Sequence, residues 1–162
     1  MDLFQSSISP FKRFISDFKT HISQNRTEIE KTLSKNDTGE TGSHQSGIAI
    51  PKETEILSFF PKLDKNIKNP RLPINCKDSS GKGWDFSFVY YNNKFFGGTR
   101  NEYRLLWTTG FINEYALKEG DIIIFKKYEN DYYSIEFTLK KGSPATSEEI
   151  LILGNSWRTV SI

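Results

Sequence analysis

The sequence predicts a mainly β domain with short helices, an α+β chain whose strands form a barrel or a sandwich. Its 162 residues are enough for one domain with its own hydrophobic core. Aromatic residues make up 14% of the chain, and such a share favours strands. Short apolar runs also follow one another at close intervals, separated by turn-forming residues, as in barrels and sandwiches.

The first element along the chain is a predicted helix. Apolar residues from Phe11 to Ile22 recur at helical spacing, and Ser9 followed by a proline is a suitable helix start. We therefore expect a packing helix over about residues 9–30. The segment that follows, 34–47, has no apolar residue, and its glycines and short polar side chains predict an exposed loop.

The rest of the chain is predicted to consist of strands interrupted by two short helices. One helix is expected within 52–63, where Pro61 stops it, and the other covers about two turns within 108–117. The tail, 144–162, is expected to be a final strand or a linker to a missing domain. The apolar runs that predict strands are 48–51, 70–77, 84–92, 102–107, 121–128 and 132–140.

Composition limits the class of protein. The formal net charge is +2, from 22 basic and 20 acidic residues, so the arrangement of charge must decide whether nucleic acid is a partner. Cys76 is the single cysteine, which excludes an intrachain disulfide and suits a reducing cytoplasm. No apolar run reaches the length of a membrane span, and no signal peptide is recognisable. We expect a cytoplasmic protein that has no membrane partner.

The sequence offers no credible catalytic site. His21, His44 and Cys76 are too few and too far apart for a zinc site, and no nucleophile elbow, P-loop or dinucleotide motif is present. Asp17 and Lys19 have the spacing of a metal-dependent nuclease motif, but they lie on the predicted helix rather than on a strand. We therefore predict that this chain is not an enzyme, with no catalytic or metal-binding residues, no cofactor for its function and no small-molecule ligand.

Two polar segments, 36–45 and 94–104, indicate binding instead. In the second, Arg100, Glu102 and Arg104 alternate, so a strand would place all three side chains on one face. Arginine matches the O6 and N7 atoms of guanine, and glutamate accepts from N4 of cytosine. The same pattern also describes a solvated strand with ion pairs worth less than about 1 kcal/mol each. Composition leaves both interpretations open.

The two segments together resemble the N-terminal, effector-binding domain of EcoRII-type restriction endonucleases. The resemblance spans roughly 33–107 and depends on four motifs in the same order, Leu33–Pro51, Phe59–Pro61, Asn69–Pro70 and Tyr90–Arg104. Further along, 116–125 is similar to the lysine-glycine-aspartate turn and apolar strand of plant B3 domains.

This resemblance implies a B3-like DNA-binding pseudobarrel, an open barrel of about seven strands flanked by helices. It also implies two arms that enter the major groove of double-stranded DNA, an N-arm at about 37–51 and a C-arm at about 94–105. The family's base-reading residues fall on His44, Arg100, Glu102 and Arg104. The other expected contacts in or beside the arms are Ser43, Gln45, Ala49, Lys52, Lys94, Gly98, Thr99, Asn101 and Tyr103.

Three arm positions differ from the family pattern, which has tyrosine, lysine and lysine where this chain has Ala49, Gly98 and Tyr103. The retained Arg-Glu-Arg set implies a recognition site with a cytosine/guanine core, whose flanking pairs stay open. We expect Phe95, Phe96, Leu105 and Trp107 to pack and hold the C-arm strand rigid. The cations expected on one concave face are Lys35, Lys52, Lys94, Arg100 and Arg104.

The resemblance further implies the function of a target-recognition domain of a type II restriction endonuclease in a prokaryotic cytoplasm. The nuclease would then be a separate domain or subunit, with Mg²⁺ required only there. Whether the chain is a fragment or a stand-alone protein stays open. The alternatives are a β-rich protein-interaction module without DNA specificity and a complete nuclease.

Overall fold

Eight strands form one sheet in the structure, a computed structural model that describes residues 26–42, 47–141 and 156–161. The order of the strands across the sheet is β2-β5-β4-β3-β7-β6-β1-β8. In chain order they are β1 (Arg26–Thr32), β2 (Ile48–Ile50), β3 (Arg71–Lys77), β4 (Gly83–Tyr91), β5 (Glu102–Leu106), β6 (Ile122–Tyr128), β7 (Tyr133–Thr138) and β8 (Trp157–Val160).

The helices of the described segments are short. They are α1 (Lys35–Thr38), α2 (Thr54–Leu57), α3 (Thr109–Glu114) and a 3-10 helix over Asn93–Phe96. α2 lies within the segment predicted to be helical, but it ends at Leu57, before Pro61 could stop it, and α3 occupies the region where two helical turns were predicted. None of the helices described is long and apolar enough to cross a lipid bilayer.

The sheet curls into a nearly closed barrel. Its neighbouring strands are antiparallel except β3 and β7, which run parallel where Cys76 pairs with Tyr133. The two edge strands, β2 and β8, meet through a side chain, because the Trp157 Nε1–H donates to the Ala49 carbonyl oxygen at 2.8 Å. The predicted class, a mainly β pseudobarrel with short helices, is confirmed, with eight strands rather than seven.

The core contains a column of stacked aromatic rings that lies beneath the strands of the C-arm. Phe60 stacks on Phe88 with ring centroids 4.6 Å apart, and Tyr103 stacks on both Phe88 and Tyr90, at 5.7 and 4.1 Å. Such pairs each add about 0.5–1.5 kcal/mol beyond their burial. The column therefore fixes the position of β5 relative to β4.

The predicted helix over residues 9–30 is wrong for its last part, because 26–30 belong to strand β1; residues 9–25 lie outside the described segments. β1 pairs with β6 from Arg26 opposite Tyr128 to Thr32 opposite Ile122. The charged side chains of β1 form ion pairs with neighbouring residues. Glu28, for example, contacts both Arg26 and Lys126. Pairing with an apolar strand outweighs a weak local preference for helix.

The described part of the tail, 156–161, contains β8, which matches one of the two alternatives expected for 144–162. β8 pairs with β1, and its Thr159 lies opposite Ile29. In the same pairing Trp157 lies opposite Lys31, whose ammonium group contacts Asp37 at the start of the N-arm.

Candidate nucleic-acid interface

The C-arm strand β5 has one face toward the core and one face outward. Tyr103 and Leu105 are buried, and Tyr103 lies opposite Tyr90 on β4. The intervening residues, Glu102 and Arg104, are only partly buried and lie opposite Tyr91 and Val89. The alternation that the sequence predicts is therefore present.

One carboxylate joins the two arginines of this outward face. Arg100 donates from Nε and Nη2 to Glu102 Oε1, at 2.9 and 2.7 Å. Arg104 donates from Nη2 to the other oxygen, Oε2, at 3.3 Å. Burial opposes ionisation of the Glu102 carboxyl, but the hydrogen bonds from both arginines outweigh it and lower its pKa. The structure thus brings the three side chains together on one face, and the carboxylate orients the two guanidinium groups.

Tyr91 also positions Arg100, and sequence reasoning missed it. The Arg100 guanidinium carbon lies 3.7 Å from the centroid of the Tyr91 ring. Tyr91 is opposite Glu102 in the β4–β5 register, so a cation–π contact and an ion pair restrain the same guanidinium group. An aromatic residue at the end of the preceding strand was the available signal, but the strand register is needed to use it.

The tip of the C-arm is a compact, closed loop. Gly97 ends the 3-10 helix with a φ of 82°, a conformation that glycine adopts without strain. The Gly98 N–H donates to the Asn93 carbonyl at 2.8 Å, and the Lys94 N–H donates to the Arg100 carbonyl at 2.9 Å. A Cβ at Gly98 would lie 2.9 Å from the Asn93 Cβ, so the lysine of the family pattern does not fit this loop without a shift.

The remaining C-arm residues have different environments. Lys94 and Thr99 are exposed, whereas Asn101 accepts a hydrogen bond from the Tyr90 hydroxyl at 2.8 Å and braces the arm. The Tyr103 ring lies in the aromatic column, with only 6% of the residue exposed. Its ring therefore supports the outward face from beneath.

The expectation that four apolar residues pack to hold the strand is correct for Leu105 and wrong for the other three. Leu105 is 0% exposed, whereas Phe95, Phe96 and Trp107 are exposed to 65%, 42% and 63%. The two phenylalanines lie on the 3-10 helix, where the chain has left the sheet. Trp107 has a φ of 67°, which breaks the strand alternation that would have turned its ring inward.

The start of the N-arm is fixed by a buried ion pair and a helix cap. Lys31 Nζ lies 2.9 Å from Asp37 Oδ2, and both side chains are almost fully buried. Asp37 also accepts from the Ser34 N–H, while the Ser34 hydroxyl accepts from the Asp37 N–H, a capping box that starts α1. The prediction of a continuous exposed loop over 34–47 is therefore wrong at Asp37. Ser34 followed three residues later by an acidic residue was the available signal.

The return of the N-arm lies directly against the C-arm strand. Ala49 is exposed on β2 opposite Arg104, and Arg104 Nη1 donates to the Gly47 carbonyl at 3.2 Å. Lys52 follows β2 and is exposed, whereas Ser43, His44 and Gln45 lie outside the described residues. Because β2 and β5 are antiparallel, the N-arm joins β2 at one end of the pair and the C-arm joins β5 at the other. The Arg-Glu-Arg face therefore runs from the C-arm tip at Arg100 to Arg104, which lies beside the return of the N-arm.

Two of the five predicted cations share one face in the structure. Arg100 and Arg104 share the outward face, and Lys35 at the start of the N-arm forms an exposed ion pair with Glu119 at 3.8 Å. Arg71 on β3 was not predicted. It lies opposite Val89, which lies opposite Arg104, so the sheet register places Arg71 in the same outward row. Only the pairing of strands distant in sequence reveals this neighbour.

Within the described segments, no group of three histidine, cysteine, aspartate or glutamate residues is arranged to hold a metal ion. Asp17 and Lys19, the spacing match to a nuclease motif, lie outside those segments. The buried Cys76 has its pKa raised to about 12 by burial, so it is a protonated core residue at neutral pH.

Comparisons with known proteins agree with this architecture. The family model "Restriction endonuclease EcoRII, N-terminal" matches residues 24–131. The type II restriction enzyme EcoRII of Escherichia coli is 37% identical over 83 residues, which cover 46% of this chain and 19% of that enzyme. Auxin response factor 16 of Arabidopsis thaliana is 35% identical over 103 residues, 62% of this chain and 13% of that protein. The chain thus spans less than a fifth of either relative.

Among solved structures, the Arabidopsis FUS3-DNA complex is similar with a TM-score of 0.53 and 26% sequence identity. The alignment covers 70% of this chain and 96% of that one. Several plant proteins with B3 domains also match, including a transcription repressor of Arabidopsis thaliana that is 28% identical over 101 residues. The chain belongs to the EcoRII N-terminal family, and its fold is the B3-like pseudobarrel.

Proposed function

We propose that this domain binds double-stranded DNA and reads base edges in the major groove with the outward face of its C-arm strand. The observation that carries the proposal is the Glu102 carboxylate shared by Arg100 and Arg104. A guanidinium group that is already oriented loses little entropy when it binds a base edge, and two planar donors at fixed positions match guanine O6 and N7.

The base composition of the site follows from the same groups. Two arginines favour guanine, and an ionised glutamate with a lowered pKa accepts from the N4 amino group of cytosine. Support for a cytosine/guanine core therefore comes from the chemistry of the outward face. The N-arm supplies the second set of contacts in this proposal, with His44 at a base edge and Ser43 and Gln45 beside it.

We further propose that the domain serves target recognition in a restriction endonuclease, with cleavage performed by a separate domain or subunit. Membership of the EcoRII N-terminal family supports this context more directly than the plant relatives do. This chain would then supply recognition without cleaving DNA itself. Purified protein incubated with plasmid and Mg²⁺ should leave the plasmid intact, and Mg²⁺-dependent nicking that copurifies with the chain would contradict the assignment.

Selection from randomised duplexes, followed by sequencing, tests DNA recognition directly. We expect one enriched motif with a cytosine/guanine core, bound more tightly than random duplex. Titration of salt then tests the ionic character of the interface, because phosphate contacts release counterions and the logarithm of the binding constant falls linearly with the logarithm of salt concentration. Failure to enrich any motif would contradict sequence-specific recognition.

The alternative is a protein-interaction module, which the exposed rings of Phe95, Phe96 and Trp107 favour. The salt titration separates the two functions. A weak, salt-insensitive association with duplex DNA and no preference among sequences would support the interaction module instead.

A further inference from the structure

The C-arm tip exposes two aromatic rings beside the charged face. Phe95 is 65% exposed and Phe96 is 42% exposed, and both lie on the 3-10 helix that ends at Gly97. Two large apolar side chains in water at the end of an arm are unfavourable, because apolar surface is stabilised when it is removed from water. Their exposure therefore indicates a contact that the isolated domain does not make.

The loop that carries these rings is connected to the Arg-Glu-Arg face by backbone hydrogen bonds. Lys94, which precedes Phe95, donates from its N–H to the Arg100 carbonyl at 2.9 Å. The Gly98 N–H donates to the Asn93 carbonyl at 2.8 Å and closes the other side of the tip. A ligand that contacts Arg100 is therefore close to the loop that carries the phenylalanines, and the backbone of that loop is ordered before binding.

The charges around the rings identify the kind of ligand. Lys94 and Arg100 flank the tip in sequence, so the partner combines negative charge with exposed apolar groups. Duplex DNA has both, because the C5 methyl group of thymine is the apolar feature of its major-groove edge. Phenylalanine makes apolar contact with that methyl group and forms no hydrogen bond to a base edge.

We propose that Phe95, supported by Phe96, is a specificity-determining residue that contacts thymine methyl groups next to the core read by Arg100, Glu102 and Arg104. The inference rests on the proposed DNA-binding function and adds one feature to it. The recognition site then contains an A·T pair on the C-arm side of the cytosine/guanine core. Phe95 provides the preference for its thymine methyl group.

Replacing the thymine methyl group by hydrogen gives a direct test. Each thymine of the selected duplex is replaced in turn by deoxyuridine, and the dissociation constant is measured for the unmodified protein and for Phe95→Ala, Phe95→Leu and Leu139→Ala. Leu139 is 57% exposed and lies beyond β7, outside both arms, which makes it a matched control for the loss of an exposed apolar side chain.

We expect one or two thymines at which deoxyuridine weakens binding of the unmodified protein about three- to fivefold, the effect of one buried methyl group. Phe95→Ala should bind thymine and uracil duplexes equally at those positions. Phe95→Leu should keep part of the preference, and Leu139→Ala should keep all of it.

Three outcomes would overturn the inference while leaving DNA recognition intact. The first is a selected site without an A·T pair next to the core. The second is a uracil effect of the same size in Phe95→Ala and in the unmodified protein. The third is self-association of the free domain that Phe95→Ala abolishes without changing the uracil effect. If the unmodified protein selects no duplex at all, the proposed function itself is wrong.

Discussion

At the scale of single residues, Glu102 provides the test of whether the outward face reads bases. It is a carboxylate in a region expected to approach phosphates, so removal of its charge should tighten binding to every duplex if electrostatics alone acts. In the structure it also orients Arg100 and Arg104. Loss of Glu102 should therefore release both guanidinium groups, and the two effects oppose each other on a specific site.

We expect Glu102→Ala to weaken binding to the selected site by about 1–3 kcal/mol and to strengthen binding to random duplex slightly. Fluorescence anisotropy with both duplexes at one salt concentration measures the difference. Glu114→Ala is the matched control, because Glu114 pairs with Lys82 on the surface and its removal changes the net charge equally. Similar tightening on both duplexes in Glu102→Ala would mean that the face is merely solvated.

Gly47 shows how a single residue sets the distance between the N-arm and the C-arm strand. Its φ is 81°, and a Cβ at this position would lie 2.2 Å from the Leu105 carbonyl oxygen. Gly42 also has a positive φ, of 69°, but a Cβ there would meet nothing within 4 Å. The two glycines therefore separate the cost of the backbone conformation from the cost of the collision.

Gly42→Ala and Gly47→Ala should each lower the free energy of unfolding by roughly 1–2 kcal/mol, because alanine disfavours the left-handed backbone conformation. Gly47→Ala should cost about 1–3 kcal/mol more, because β2 must move away from β5. Urea unfolding of the two variants measures the difference. Equal losses of stability would show that β2 moves away from β5 at little cost and that Gly47 does not fix the distance between them.

At the scale of elements, the start of the N-arm depends on the ion pair between Lys31 of β1 and Asp37 of α1. Lys31 also contacts the Ser156 hydroxyl and donates to the Thr32 carbonyl at 2.9 Å, so this ammonium group joins β1, the residue that precedes β8 and the N-arm. A buried pair adds little net stability against an apolar replacement, but loss of one partner leaves a buried charge.

Asp37→Ala should lower the free energy of unfolding by about 3–5 kcal/mol. Lys35→Ala is the control, since the exposed pair of Lys35 with Glu119 should contribute less than about 1 kcal/mol. Combining Asp37→Ala with Lys31→Met should recover part of the loss, because the second substitution removes the stranded charge. Chemical denaturation of the four proteins gives these values, and an unchanged stability in Asp37→Ala would exclude this role of the pair.

At the scale of the whole molecule, the barrel closes through a side chain rather than through a ladder of backbone hydrogen bonds. Trp157 of β8 donates to the Ala49 carbonyl of β2, and its ring also packs edge-on against Phe60 at 6.4 Å. The strand that reaches the N-arm side of the interface is therefore linked to the last strand of the domain.

Trp157→Phe retains the aromatic ring and removes the N–H donor. We expect a loss of about 1 kcal/mol of stability and faster amide hydrogen exchange in β2, with little change in β3 and β4. The exposed Trp107 gives the control substitution, Trp107→Phe, which should leave exchange in β2 unchanged. Identical exchange in the unmodified protein and Trp157→Phe would show that ring packing alone closes the barrel.

The sequence by itself determined the strands from β2 to β7 and the Arg-Glu-Arg face. Both depend on local periodicity, because a strand that buries one side must alternate apolar and polar residues. Arg100, Glu102 and Arg104 could therefore be assigned to one face before the fold was known. The residues that resemble the EcoRII family added the two arms as an expectation.

Only the tertiary structure decided which distant residues meet. Tyr91 beneath Arg100, Arg71 in the row of Arg104, Gly47 against Leu105 and Trp157 against Ala49 all depend on the pairing of strands that are far apart in sequence. Residues 26–30 of β1 were predicted as the end of a helix because the strand that pairs with them, β6, is also far away in sequence. The charged side chains of β1 are compatible with a strand because partners on other elements neutralise them, and local periodicity contains no information about those partners.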